Sequence, residues 1–282
     1  LSDENLITAP RMYPIADWGP ARARDPGHAP SADAIEQWYD PARVPELIDQ
    51  VVGPGKAHVV RVGSLAWSED LFQAVTSAVD EAGGITTVHL PPEDLNVVNA
   101  VRAAELGVSM IEHHYGYAEA ALGEGALPAL PAGYNYNDES HRFRQAGAVW
   151  QEADEDVLVG EVVDRLVASG VALIPTMSTY EVNRDFNRAV GLPWHELYTH
   201  RVLIDWYFPS PEYHAAYHWD WTSKDEQRWA ETIRKWQSLI RSFNDRGGNL
   251  SYAVDDPYLW NTSGIGNVRE LELMHEGGLE PL

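Results

Sequence analysis

Histidines and acidic residues follow several short apolar segments of the chain, each at the point where the segment ends. These residues are His89, Glu112, His113, His114 and Asp255. Imidazole and carboxylate groups are ligands that suit zinc, iron or manganese, and a carboxylate can also serve as a general base. Each residue alone is equally compatible with an ordinary polar position at the start of a loop or helix. A metal site therefore requires that the fold bring them together.

The segments that carry these residues alternate between strand and helix patterns. The strand-like segments are 58–62, 85–89, 108–112, 171–174 and 249–254, with a weaker one near Met12, and helix patterns cover 42–52, 68–82, 95–105, 157–169, 229–243 and 269–276. Such alternation predicts βα units on a parallel sheet, whose strands carry their functional residues at the carboxyl ends. Because neighbouring residues of a strand face opposite sides, we expect only one of His113 and His114 to enter a shared site.

Two aromatic-rich insertions, at about 115–151 and 183–221, interrupt the alternation. The first contains Tyr115, Tyr117, Tyr134 and Tyr136, and the second contains Trp194, Trp206, Tyr207, Trp219 and Trp221. They would form a lid over a bulky or aromatic substrate, or they would simply pack as long loops onto the domain. We treat residues 1–282 as one domain whose first 30 residues form irregular loop.

Composition excludes several classes of function. The 282 residues carry 43 acidic and 20 basic side chains, a formal charge of −23, which argues against nucleic acid as a partner. Without cysteine there is no disulfide, thiolate ligand or cysteine nucleophile. Apolar runs fall far below the roughly 18 residues of a membrane span, so we expect a soluble protein without a membrane partner. No signal-peptide pattern is visible, and cytoplasmic and exported locations both stay open, as does a homo-oligomer.

Four motifs in order resemble those of the amidohydrolase superfamily, in particular its imidazolonepropionase- and prolidase-like branch. The motifs are Thr87–His89, Ser109–His113, Leu173–Thr176 and Ala253–Asp255, with Arg269–Met274 and Glu276–Pro281 after them and Ala9–Arg11 before them. The resemblance covers nearly the whole chain. It implies a (β/α)8 TIM-type barrel of which this chain supplies strands three to eight, with further N- and C-terminal parts outside it.

The resemblance also implies an activity and a metal site. His89 matches the fifth-strand metal ligand, His113 the sixth-strand ligand, and Asp255 the eighth-strand aspartate that takes a proton from metal-bound water. We expect one Zn²⁺, held by these three residues, in a hydrolase that cleaves an amide or other C–N bond of a small-molecule substrate. Arg61, Glu112, His114, Thr176 and Tyr180 are expected to contact the substrate or to support the ligands. Glu112 and His114 would orient His113.

Three departures from the family pattern reduce the expected activity. The chain has no His-x-His triplet, and alanine and valine precede Asp255 where the family has glycine and threonine. Arg61 stands where many members carry a carboxylated lysine, and arginine cannot form a carbamate, so at most one metal is expected. Arg61 would either pair with Asp255 or Glu112 or hold a substrate carboxylate. We expect weak metal binding by this chain alone, unless His114, His28 or Glu112 completes the site.

Two other functions fit the same residues. A carbohydrate-active barrel would use Glu112 and Asp255 as its carboxylate pair, and the 11 tryptophans would suit sugar stacking. A non-catalytic barrel would bind a ligand or partner without chemistry. Metal content distinguishes the hydrolase from both.

Overall fold

The computed structural model describes residues 13–19, 32–62, 68–92, 95, 97–122, 130–135, 138–212 and 217–280. Within them, one sheet contains the strands β1 (Ile15–Asp17), β2 (Val59–Val62), β3 (Ile85–Val88), β4 (Met110–Glu112), β5 (Ala172–Ile174) and β6 (Asn249–Leu250). The strands lie in sequence order and every neighbouring pair is parallel. This confirms the predicted α/β fold with a parallel sheet. The weak strand expected near Met12 is β1, and Met12 itself lies outside the described residues.

Helices connect these strands. They are α1 (Ala32–Trp38), α2 (Val44–Val51), α3 (Glu69–Glu81), α4 (Ala100–Glu105), α5 (Tyr117–Ala120), α6 (Glu139–Glu152), α7 (Glu155–Val157), α8 (Val163–Ser169), α9 (Met177–Arg184), α10 (Phe186–Val190), α11 (Trp194–Tyr198), α12 (Arg201–Tyr207), α13 (Ser223–Asp245) and α14 (Ile265–Glu276). A π-helical turn over Leu158–Val162 joins α7 to α8, and 3-10 turns cover Pro41–Arg43 and Tyr217–Asp220.

Side-chain caps decide where several helices begin. Ser68 Oγ accepts a hydrogen bond from Leu71 N at 3.2 Å, as its sequence position predicts. The helix expected from residue 95 begins only at Ala100, because the side chain of Asn99 accepts from Arg102 N at 3.0 Å and so acts as the cap. A reciprocal pair of hydrogen bonds between Thr222 and Asp225 starts α13, six residues earlier than the pattern indicated.

Both aromatic-rich insertions contain helices. The first includes α5 and most of α6, and the second includes α10, α11 and α12. Their large side chains split between two roles: Tyr117, Tyr207 and Trp150 are buried, whereas Trp219 is 54% exposed. Tyr136 lies outside the described residues. Packing onto the domain, one of the two alternatives, therefore accounts for Tyr117 and Tyr207.

The longest helix, α13, packs against α9 and α6 and covers the core with tryptophans. Trp229 and Trp236 are fully buried, and the indole Nε1 of Trp229 donates to the carbonyl oxygen of Phe143 at 3.0 Å. Burial of aromatic side chains of this size stabilises a fold by roughly 1.5–3 kcal/mol each. No helix in the described part of the chain is both long enough and apolar enough to cross a bilayer.

A buried lysine fastens α13 to the end of α6. Lys235 is 5% exposed, and its ammonium donates to the carbonyl oxygens of Trp150 at 2.9 Å, Gln151 at 3.1 Å and Ala153 at 2.8 Å. The last carbonyls of a helix have no partners within the helix, so a cation placed there satisfies them and complements the helix dipole.

Replacement of this ammonium is expected to destabilise the fold. Lys235→Met retains the apolar stem but leaves the carbonyl oxygens without their donor, which costs about 2 kcal/mol of unfolding free energy. Urea denaturation measures this cost. Lys224→Met, at an exposed position of the same helix, is the matched control and should change stability by less than about 0.5 kcal/mol. Equal stabilities of the two variants would contradict the proposed role of Lys235.

Candidate metal site and cavity

A cavity of about 530 Å³ opens at the carboxyl ends of the parallel strands. Its lining residues are Ile15, Asp17, Arg61, His89, Glu112, His113, Tyr115, Arg142, Phe143, Tyr180, Asp255 and Tyr258. The structure thus brings His89, His113 and Asp255, which the sequence proposed for one site, to the same cavity. The roles assigned to them stay predictions.

Three side chains in the cavity have the spacing of metal ligands. One ligand atom each from His89, Glu112 and His113 lies within 4.8 Å of the other two. Such separations suit a single ion with bonds of about 2 Å. His89 Nδ1 is also buried, and no hydrogen-bond partner for it exists among the described residues. A metal ligand bond would satisfy such an orphaned nitrogen, so the donor set fits a divalent cation.

This group contains Glu112 where the sequence-based set contained Asp255. Glu112 is the last residue of β4 and stands next to His113, whereas Asp255 follows β6 by five residues. The strand predicted over 249–254 pairs only at Asn249–Leu250, so the segment before Asp255 leaves the sheet early. Asp255 still lines the cavity, but the tight group formed in the described part of the chain has Glu112 as its carboxylate.

Hydrogen bonds fix the orientation of two residues of this group, His113 and Glu112. His113 Nδ1 lies 2.7 Å from Thr176 Oγ1, while its Nε2 lies 3.8 Å from Glu112 Oε2. Thr87 Oγ1 donates to Glu112 Oε1 at 2.7 Å. Thr176 therefore contacts His113, and its supporting role stays a prediction. Thr87 was missed, although it stands two residues before His89, which places it on the same face of an extended chain.

Arg61 lies beside the ligand group rather than in bulk solvent. Its Nε is 3.8 Å from Glu112 Oε2, and its side chain is 45% exposed within the cavity lining. This contact with Glu112 favours the pairing alternative, and a role of Arg61 toward substrate stays a prediction. This separation gives an ion pair longer than a hydrogen bond, which in a half-exposed place contributes little to stability.

Burial keeps both histidine ligands neutral. Loss of solvent, followed by the nearby charges of His113, Arg61 and Arg142, moves the pKa of His89 well below its usual value. Burial, then His114 and Arg61, lowers the pKa of His113 to about 3. A neutral imidazole has the free lone pair that metal binding requires. Burial and the nearby Glu112 raise the pKa of Asp255, although Arg61 opposes them.

The backbone turns sharply at three of these strand ends. His113, Thr176 and Asp255 have φ values of 64°, 57° and 51°, in the left-handed region that favours glycine. Such a conformation costs about 1–3 kcal/mol per residue and is concentrated at functional sites. The turns direct three chemically capable residues to the same end of the sheet.

His114 and His113 separate as the alternation of faces predicts. His113 lines the cavity, whereas His114 is fully buried among Tyr115, Tyr180 and Trp229 at ring separations of 4.0, 4.6 and 5.2 Å. In the described part of the chain neither nitrogen of His114 has a hydrogen-bond partner, so no hydrogen bond supports the expected orienting role. Tyr180 lines the cavity and packs against both histidines.

The cavity wall contributed by α6 and the last loop was not foreseen. Arg142 pairs with Glu139 at 3.2 Å, and Tyr258 OH donates to the same Glu139. Tyr134, for which both a lid and simple packing were open, stacks on His141. His28, a candidate ligand, lies outside the described residues. The helical pattern of residues 139–152 could have placed Arg142 on a helix. The aromatic residues of this region led us to treat it as an insertion instead.

Behind Thr176 lies a buried carboxylate. Glu270 is fully buried in α14 and accepts hydrogen bonds from Met177 N at 2.9 Å and Ser178 N at 2.6 Å. These are the first two residues of α9, directly after Thr176. Burial raises the pKa of Glu270 to about 7, while the two backbone donors oppose the shift.

Comparison with known proteins supports the fold. No family model matches the sequence, and no curated protein matches it. Among solved structures, a bottromycin amidohydrolase is similar with a TM-score of 0.55 and 17% identity, over 85% of this chain and 46% of that chain. An uncharacterized protein matches with a TM-score of 0.48 and 12% identity, over 98% of this chain and 55% of that chain. This chain thus spans about half the length of the structures it matches, and its fold is of the amidohydrolase type.

The pKa of Glu270 predicts a pH-dependent contribution to stability. Because the folded pKa lies above that of the unfolded chain, the contribution is present below about pH 4.5 and is lost as the pH rises through 7. Between pH 5 and pH 8 the unfolding free energy of the wild type should therefore fall by about 2 kcal/mol relative to that of Glu270→Gln, whose side chain does not titrate. Denaturant unfolding of both proteins at pH 5 and pH 8 measures this change. Any cost of the substitution that does not depend on pH is the same at both values and cancels. Glu272→Gln, on the exposed side of α14, should show no such change.

Proposed function

We propose that this chain forms part of the (β/α)8 barrel of a metal-dependent hydrolase, which cleaves an amide or other C–N bond of a small-molecule substrate. The observation that carries the proposal is the grouping of His89, Glu112 and His113 within 4.8 Å at the carboxyl ends of parallel strands. The similarity in fold to a protein named as an amidohydrolase supports it, as do the motifs of the imidazolonepropionase- and prolidase-like branch.

The proposed site holds one divalent ion, most simply Zn²⁺, between His89, Glu112 and His113. When bound, such an ion lowers the pKa of a water molecule and polarises a carbonyl group. Arg61 supplies a permanent positive charge where the family pattern has a lysine that helps to hold a second ion. The site therefore has one metal and one fixed cation beside it.

Asp255 is the proposed proton carrier. It lines the same cavity, and its pKa is raised by burial and by Glu112. A carboxylate with a raised pKa accepts a proton from the attacking water and returns it to the leaving nitrogen more readily than an exposed one. The tyrosine and phenylalanine side chains of the cavity, Tyr115, Phe143, Tyr180 and Tyr258, offer an apolar wall to the substrate.

Variants of the ligands and of the proton carrier should separate binding from chemistry. We expect His89→Ala and His113→Ala to reduce bound zinc, measured by inductively coupled plasma mass spectrometry, to less than a fifth of the wild-type content. Asp255→Asn should retain the metal and lower the rate of amide hydrolysis about 100-fold or more, because it cannot carry the proton. His275→Gln, at an exposed position of α14, should change neither quantity.

A panel of N-acyl amino acids and dipeptides provides the amide substrates, and nitrophenyl glycosides provide the alternative. If the wild-type protein binds no metal and hydrolyses glycosides through Glu112 and Asp255, the carbohydrate-active function would replace the proposed one. Protein without metal or either activity would leave a ligand-binding barrel. Zinc content that is unchanged in His89→Ala and His113→Ala would place the metal elsewhere.

A further inference from the structure

We infer that Glu270, remote from the cavity, is a positioning residue that acts through Thr176 to fix the tautomer and orientation of His113. The expected effect on metal binding rests on the proposed function, whereas the effect on His113 itself concerns the metal-free protein. It connects three observations: a buried carboxylate, a strained turn and a short hydrogen bond to an imidazole.

The first observation is the way in which Glu270 holds the start of α9. Its two carboxylate oxygens accept hydrogen bonds from two successive backbone amides, Met177 N at 2.9 Å and Ser178 N at 2.6 Å. The first amides of a helix have no partners within the helix, so this bidentate contact satisfies donors that would otherwise be buried and unpaired. It fixes the peptide planes directly after Thr176.

The second observation is the conformation of Thr176 itself. Thr176 has φ 57° and ψ 38°, the left-handed conformation that a β-branched residue adopts only when its surroundings enforce it. The Thr176 side chain makes no capping hydrogen bond to α9. The carboxylate of Glu270 supplies the cap in its place, since it holds the following two amides. This arrangement turns the Thr176 hydroxyl toward the cavity instead of toward its own helix.

The third observation is the contact that results. Thr176 Oγ1 lies 2.7 Å from His113 Nδ1, and His113 Nε2 faces Glu112. A hydroxyl held at this distance pairs with one tautomer of the ring, either accepting from a protonated Nδ1 or donating to an unprotonated one, and it holds the ring with Nε2 directed at the ligand group. His113 is 5% exposed, so water does not supply an alternative partner readily. Glu270 therefore holds the turn whose hydroxyl keeps His113 in one orientation, with Nε2 facing Glu112.

The network is buried and specific rather than a general feature of α14. The next carboxylates on this helix, Glu272 and Glu276, pair with Arg269 at 2.8 Å each and are exposed. Glu270 alone among these three is directed into the core and onto the amides of α9. The chain therefore offers a matched control: the same substitution two positions away on the same helix.

The tautomer of His113 can be read directly. In ¹⁵N-histidine-labelled, metal-free protein, long-range ¹H–¹⁵N correlations distinguish a protonated Nδ1 from a protonated Nε2, and His113→Asn assigns the signal. We expect the wild type and Glu272→Gln to show a single tautomer. Glu270→Gln and Thr176→Val should show a mixture of tautomers, and Thr176→Ser, which retains the hydroxyl, should restore the wild-type spectrum.

Metal affinity gives the second readout. Loss of a supporting partner weakens metal binding typically 10–100-fold, so we expect a loss of that size in Zn²⁺ titrations of Glu270→Gln and of Thr176→Val. Because Glu270 acts through Thr176, the double variant should lose no more affinity than Thr176→Val alone. Additive losses would show that Glu270 acts by another route and would overturn the inference.

The two proposals fail in different ways. Wild-type protein that binds no Zn²⁺ would refute the proposed function, yet the tautomer spectra would still test the role of Glu270. A folded Glu270→Gln variant with the wild-type His113 spectrum would refute that role, whatever the metal content. If Glu270→Gln does not fold, Glu270→Asp, which keeps the charge on a shorter side chain, provides the test, with a mixed spectrum expected and a wild-type spectrum refuting the inference.

Discussion

The hydrogen bond between Thr176 and His113 joins the ends of two neighbouring strands and sets the geometry around which the cavity is arranged. Its 2.7 Å separation requires that β4 and β5 end at the same level, which their register provides, and His113 N donates to the Ile174 carbonyl at 2.9 Å to hold that level. Both residues then turn through the left-handed region. The two side chains meet because His113 and Thr176, at the ends of neighbouring strands, both adopt this strained backbone conformation.

Burial has opposite effects on the acids and the bases of this site, and both effects favour chemistry. Desolvation disfavours the charged form of any group, so the histidines are kept neutral and available as ligands while the pKa of Asp255 rises. Arg61, whose side chain is 45% exposed, places its guanidinium beside Glu112. The cavity thus contains neutral imidazoles, a carboxyl group with a raised pKa and the guanidinium groups of Arg61 and Arg142.

The helices inserted between the strands provide the remainder of the cavity wall. Arg142 and Phe143 come from α6, which lies between β4 and β5, and Tyr258 comes from the loop after β6. Lys235 anchors α6 to α13 through the carbonyls at its end. The shape of the cavity therefore depends on contacts between helices that lie far apart in the sequence.

Local patterns in the sequence determined the parallel α/β architecture and the positions of His89 and His113 directly after their strands. Strand and helix periodicity, caps such as Ser68 and the reversal of faces between His113 and His114 are properties of a few neighbouring residues, so they can be read without a fold. The grouping of Glu112 with the two histidines, its contact with Thr87 and the contact of Glu270 with the start of α9 were decided by the tertiary structure. These depend on strand register, on where β6 leaves the sheet and on how α14 packs against α9, and each of those is set by contacts between residues distant in the chain.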